Sequence, residues 1–296
     1  MSKSILPELI DAAHNRRSFI KKIGIATAAV GALSVVETTP AEAQSTTEMA
    51  ILNFALNLEY LEAEFYTYGQ FGYGIEQFNI GTNGVASGSN PSTGGATTGG
   101  RQVTFSNNLV FSSAILSQIG SDERAHVVLL RSFLGANAIA KPNINLNALG
   151  LGFGNQSEYL TLARIFEDIG VSAYAGAAGM FTTPLVITTA ARILAAEAEH
   201  VSTIRTQIAR LNIPTPRLDG ADLIPPPSGP QTQYLSINTS NGLPAIRTAG
   251  QVLFLAFGNQ ANATQGGFFP TGVNGSINTS TTAATAANLA TVPPTA

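Results

Sequence analysis

Residues 122–126 read Asp-Glu-Arg-Ala-His and residues 197–200 read Glu-Ala-Glu-His, so His126 and His200 each follow a glutamate, Glu123 and Glu197, by three positions. The chain has three histidines, and the third, His14, stands far upstream. With ten glutamates after residue 43, chance would place one three positions before both remaining histidines only roughly once in 600. Three residues along a helix are about 300° of rotation, so each Glu and its His share a face about one turn apart, where the two side chains can grip one ion.

Both motifs sit in periodic apolar runs. Val110, Ala114, Ile115, Ile119, Glu123, His126, Leu130 and Phe133 recur at helical spacing from about Asn107 to Leu134, and Gly135 stops the run. Thr183-Pro184 reads as an N-cap with proline at the first helical position, opening a helix that ends near Leu211, before Pro214. Two further runs flank these. From Glu48 to Tyr68, Leu52, Ala55, Leu56, Glu59, Glu62 and Tyr66 share a face; from Ser157 to about Met180, Leu160, Ala163, Phe166, Glu167, Gly170 and Tyr174 do so. Each run carries an acid in the middle of an apolar face, Glu59 in the first and Glu167 in the other. An ionised carboxylate is costly there unless it is paired or bound to metal. Four carboxylates balance two divalent cations. Glu62, one turn after Glu59, competes with it for the ligand role or holds an outer hydrogen bond. Glu64, Asp168 and Glu199 adjoin these candidates but point elsewhere, which predicts solvated or outer positions.

The rest of the chain reads as irregular. Residues 69–105 form a long Gly/Ser/Thr loop in which neither helix nor strand is expected, and residues 136–155 make a connection long enough to run the length of a bundle. An irregular extension is expected over 213–275 and a disordered tail over 276–296. The fold class predicted is all-α: a four-helix bundle over 44–212 with a long crossover between its second and third helices.

Composition narrows the chemistry. Only 11% of the residues are charged and the net charge is −3, with no Lys/Arg run, so nucleic acid is not an expected partner. No apolar run reaches the length of a membrane span. The absence of cysteine excludes disulfides, thiolate zinc sites, cysteine nucleophiles and a lipoprotein anchor, leaving carboxylates and imidazoles as metal ligands. No nucleophile elbow, phosphate loop or dinucleotide-binding glycine fingerprint stands between a strand and a helix.

Arg16-Arg17-Ser18-Phe19-Ile20-Lys21-Lys22 precedes an apolar stretch from Ile23 to Val36 and then Ala41-Glu42-Ala43, a small-x-small cleavage signature. Residues 1–43 resemble a twin-arginine signal peptide. That resemblance implies the twin-arginine export machinery as a partner, cleavage after Ala43, a periplasmic or secreted location, and export in the folded state with a cofactor already loaded.

Glu, Glu-x-x-His, Glu, Glu-x-x-His over four successive helices resembles the ferritin-like dimetal carboxylate bundles. The resemblance is carried by Asn57-Leu58-Glu59-Tyr60-Leu61, Asp122-Glu123-Arg124-Ala125-His126, Phe166-Glu167-Asp168 and Glu197-Ala198-Glu199-His200. With the Gly-Gly-Phe-Phe-Pro stretch at 266–270 and the export signal, the chain is most similar to the exported, desiccation-related branch of that family. The resemblance implies two divalent ions, Fe or Mn, on Glu59, Glu123, His126, Glu167, Glu197 and His200, with Tyr66, seven residues after Glu59, as a catalytic candidate beside them. It implies stress-protective redox chemistry on a small substrate, Fe(II), peroxide or oxygen, by a ferroxidase-like or catalase-like oxidoreductase. The alternative is a non-enzymatic protective protein on the same scaffold. A metal-free bundle whose polar layer sets register would strand four acids in a core.

Overall fold

The computed structural model describes residues 45–105 and 114–290; the segment expected to be a signal, the start of the second helical run and the last six residues lie outside them. Four long helices, α1 (Thr46–Phe71), α2 (Leu116–Leu134), α3 (Gln156–Ala177) and α4 (Pro184–Arg210), form the bundle, with α1 packed chiefly on α2 and α3 on α4. A short α5 (Ala249–Ala256) lies in the extension. The helix ends follow local rules. Ser45 and Glu48 make a reciprocal capping box at the start of α1, and Gly72 closes it in the left-handed conformation at φ 78°. Asn155 caps α3 through Glu158 N, and Pro184 opens α4. The three-residue turn Ala178–Met180 between α3 and Thr183 forces the two helices antiparallel.

The amphipathic pattern expected of α1 is exceeded. From Phe54 to Thr67 every residue is buried, on all faces, because segments distant in sequence cover the side turned away from the bundle. Asn57 donates to Asn274 O at 2.9 Å and accepts from Asn274 N at 3.0 Å, tying α1 to the extension. Asn53 accepts from Ile139 N and donates to Asn137 O, tying it to the crossover.

The Gly/Ser/Thr loop is ordered by the crossover and contains elements that its composition hid: a 3-10 turn (Ile75–Phe78) and strand β1 (Thr97–Thr98), paired parallel with β2 (Ile144–Asn145). Its glycines allow close backbone approach. A Cβ on Gly84 would stand 2.2 Å from Ala138 O, and one on Gly95 would stand 2.3 Å from Asn143 N. Beneath this loop Lys141 is buried, paired with Glu64 and, at 2.7 Å, with Glu76. Glu64 is therefore a buried ion-pair partner rather than a solvated acid.

The extension adds the antiparallel pair β3 (Ile237–Asn238) and β4 (Leu243–Pro244). Arginines tie it to the bundle, Arg164 through Asp222, Arg205 through Leu223 O and, at 2.9 Å, Tyr234 O, and Arg247 through Ser172 Oγ at 2.8 Å. Arg164 on α3 pairs with Asp222 and, at 2.5 Å, with Asp168; Arg205 on α4 reaches Asp168 at 2.8 Å; Arg247 grips Asp219 with two nitrogens at 2.7 and 2.8 Å. Asp168, expected to be solvated or to serve the site from outside, is buried in this network. The tail also departs from expectation over 276–290. Thr285 and Asn288 cap a 3-10 turn (Ala286–Leu289), and Asn288 donates to Ile246 O and Gln251, which fixes backbone that composition alone leaves free. Among the described residues no helix is long and apolar enough to cross a membrane.

Candidate metal centre

The helical registers bring Glu59, Glu123, His126, Glu167, Glu197 and His200 into one buried layer. Glu59, Glu123, His126 and Glu197 each offer one ligand atom, all within 4.8 Å of one another; Glu123, Glu167, Glu197 and His200 form a second such group. Glu123 and Glu197 belong to both. Each histidine turns Nδ1 inward: His126 Nδ1 lies 3.2 Å from Glu59, 3.3 Å from Glu123 and 3.5 Å from Glu197, and His200 Nδ1 lies 2.8 Å from Glu123 and 3.3 Å from Glu167. The two rings are 6.3 Å apart between centroids.

The donor atoms are left over by the protein itself. Glu59 Oε2, Glu123 Oε1, Glu167 Oε2, both Glu197 oxygens and His200 Nδ1 are buried without a hydrogen-bond partner among the described residues. His200 Nδ1 and Glu123 Oε1 are within ion-pair distance yet not aligned as a hydrogen bond. Native interiors leave few such atoms, and six gathered in one layer fit a cation-binding set of oxygens and imidazole nitrogens. The carboxylate oxygens facing away are held by tyrosines in a crosswise arrangement: Tyr66 on α1 donates to Glu167 on α3 at 2.5 Å, and Tyr174 on α3 donates to Glu59 on α1 at 2.5 Å. Tyr174 follows Glu167 by seven residues as Tyr66 follows Glu59, a spacing that was the available sequence signal for this second tyrosine.

Electrostatics mark the layer as under-neutralised. Burial first, then the neighbouring carboxylates, push Glu197 well above the ordinary carboxylate range; burial likewise raises Glu59 and Glu167. Burial would raise Glu123 too, but the His126 and His200 imidazoles reverse it and hold that carboxyl low. Burial disfavours charge on the imidazoles, and the surrounding glutamates override it, Glu59 and Glu123 at His126 and Glu167 at His200, so both are raised. Burial, then the carboxylate each one bonds or faces, keeps the Tyr66 and Tyr174 hydroxyls protonated far above the ordinary phenol range.

Glu62 is buried beside the layer but outside both groups. Burial, then Glu197 and Glu123, raise it well above the ordinary range. On α3 the facing position is Gly170, where a Cβ would stand 2.6 Å from Glu197 Oε2 and 3.3 Å from Glu62 Oε1. Asp122, which carried no signal beyond its place next to Glu123, lies 3.4 Å from His200 Nε2 at the surface. Glu199 is exposed.

The sequence profile of the ferritin-like domain matches residues 47–210, which span all four helices and both groups. The desiccation-related protein PCC13-62 of Craterostigma plantagineum is similar, 27% identical over 175 residues, covering 53% of this chain. The chain spans about half the length of that relative, 52%. With the helical bundle and its buried carboxylate and imidazole layer, the profile match establishes that this chain belongs to the ferritin-like domain family.

Proposed function

We propose that the chain is an exported dimetal-carboxylate protein that acts on Fe(II), peroxide or oxygen in protection against stress. The observation that carries the reading is the set of buried ligand atoms without partners, drawn from all four helices. Glu59 and His126 would hold one ion and Glu167 and His200 the other, with Glu123 and Glu197 shared between them. Oxygen-rich ligands with one imidazole each suit iron and manganese. Bound in this layer, those metals would supply one-electron and two-electron redox chemistry.

The chain's own groups do the rest. Tyr66 and Tyr174 hold the outer oxygens of Glu167 and Glu59, so that the inner oxygen of each is presented in one orientation. Tyr66 is the catalytic candidate that the resemblance implies, and its Oη keeps a proton 2.5 Å from a ligand carboxylate, as does that of Tyr174. Phe65 and Tyr159 pack against its ring and exclude water, with Phe166 behind Phe65. The test is the metal content of the purified protein, with His126→Ala/His200→Ala as control, followed by Fe(II) oxidation and peroxide consumption against Glu197→Ala. About two ions per chain, lost in the double variant, together with turnover absent from Glu197→Ala, supports the reading. Unchanged stoichiometry in the double variant would place the ligands elsewhere.

The relative's description as desiccation-related favours a second reading, a protective binding or structural protein without turnover. Metal-replete protein that consumes neither Fe(II) nor peroxide above the Glu197→Ala control would select it.

A further inference from the structure

A cavity of about 300 Å³ lies on the α1–α3 side of the bundle, at the small end of ligand pockets. Leu61, Ile165 and Ile169 from the helices form its inner wall, and Leu149 of the crossover with Leu255 and Phe268 of the extension roof it. The extension is thus half of a pocket. Two charged residues line it. Glu62 stands at the inner wall, between the cavity and Glu197. Arg217 stands at the opposite, solvent-facing rim beside exposed Asn259. The Arg217 guanidinium donates through Nη1 to Asp222 O at 2.9 Å, and no carboxylate of the described residues forms an ion pair with it.

An apolar chamber of this size in a packed protein is unusual. Walls of leucine, isoleucine and phenylalanine favour a hydrocarbon tail, and a cation at the mouth favours an anionic head. The inner end offers no cation among the described lining residues, so an anionic head in the reverse orientation would meet the Glu62 carboxyl and find no charge partner.

We propose that this cavity binds a small anionic amphiphile, such as a medium-chain monocarboxylate, with its head on Arg217 and its tail directed toward Glu62. The site goes beyond the redox reading and does not depend on it, so it is tested by binding alone, on metal-free and on Mn(II)-loaded protein. Calorimetric titration with octanoate is expected to show saturable binding of one molecule per chain, with none for acetate, which has the head and no tail. Arg217→Glu should weaken octanoate at least tenfold while leaving octan-1-ol within about twofold of wild type. Leu149→Trp, at an exposed position of the mouth, should remove binding of both without altering helical content; Ile169→Trp repeats the block from within. Absence of saturable octanoate binding to the wild-type protein would overturn the proposal. So would octanoate binding that survives Leu149→Trp, or Arg217→Glu weakening octanoate and octan-1-ol alike. Loss of metal in the histidine double variant leaves this outcome untouched, which separates the two readings.

Discussion

Glu197→Gln should invert the order of stability between metal-free and metal-loaded protein. In the metal-free state both Glu197 oxygens are buried without a hydrogen-bond partner among the described residues, His126 Nδ1 standing 3.5 Å away, amid the carboxylates of Glu59, Glu123 and Glu167. A buried acceptor left unsatisfied costs about 1–3 kcal/mol. Glutamine keeps the shape, carries no charge at any pH and gives the neighbouring carboxylates a fixed donor, so the metal-free variant should be more stable than wild type by about 2 kcal/mol. For a domain of this size that is a rise in Tm of roughly 4–8 °C. Adding Mn(II) at a hundred times its Kd should stabilise wild type by about 2.7 kcal/mol per occupied site. The variant lacks a ligand common to both groups and should gain far less, so wild type becomes the more stable of the two. Thermal melts in chelator and in Mn(II), followed by far-ultraviolet circular dichroism, read both orders. If wild type is the more stable protein in chelator, or if both proteins gain equally from Mn(II), the account of Glu197 as a strained, shared ligand is wrong.

Glu48 accepts from Thr182 N at 2.6 Å and Thr183 N at 2.7 Å, which hold its carboxyl down at about 2 against an ordinary 4.5. Its contribution is therefore complete above about pH 4.5 and lost as the pH falls through about 2. Glu48→Gln should cost about 2 kcal/mol at neutral pH and flatten the acid limb of a urea-midpoint profile over that window. Changing Arg16 and Arg17 to Lys should trap uncleaved protein in the cytoplasm, whereas an intact Met1 in secreted wild-type material would exclude a cleaved signal. Tyr66→Phe and Tyr174→Phe should each weaken metal binding about tenfold, consistent with the loss of an outer partner, and calorimetry showing no change in either would remove the positioning role. The bulky loop and extension oppose closure of a storage shell, so light scattering should find a monomer or small oligomer. A particle of about two dozen subunits with a mineral core would contradict this.

The bundle was legible because its information is local. Helical spacing in four runs, a proline opening one and glycines closing two depend on neighbours within a few residues. Glu59, Glu123, Glu167 and Glu197 stood out for a similar reason, as acids on apolar faces. What escaped depends on partners far along the chain. Glu64 reads as a surface acid until Lys141 is placed beside it, and Asp168 does so until Arg205 arrives from another helix. The Gly/Ser/Thr loop has too little apolar surface to order itself, and its order comes from backbone contact with the crossover. The 276–290 segment is similar: Asn288 bonded to Ile246 fixes it, and nothing in its composition announces that bond.

The reciprocal pair Asn57 and Asn274 joins residues 217 positions apart. On the ribosome, at about 5–20 residues per second, α1 waits roughly 10–40 s for the segment that covers its outer side. Until then this helix presents Leu58, Leu61 and Glu62 to whatever surrounds the nascent chain. The outer side of α1 is closed by a segment 217 positions downstream, so a translocation route that accepts only finished folds would suit it, and one that threads the chain unfolded would have to rebuild this closure on the far side. Stopping synthesis or trimming the protein at residue 210, where the family match ends, would leave the four helices present and the first of them without the extension's cover.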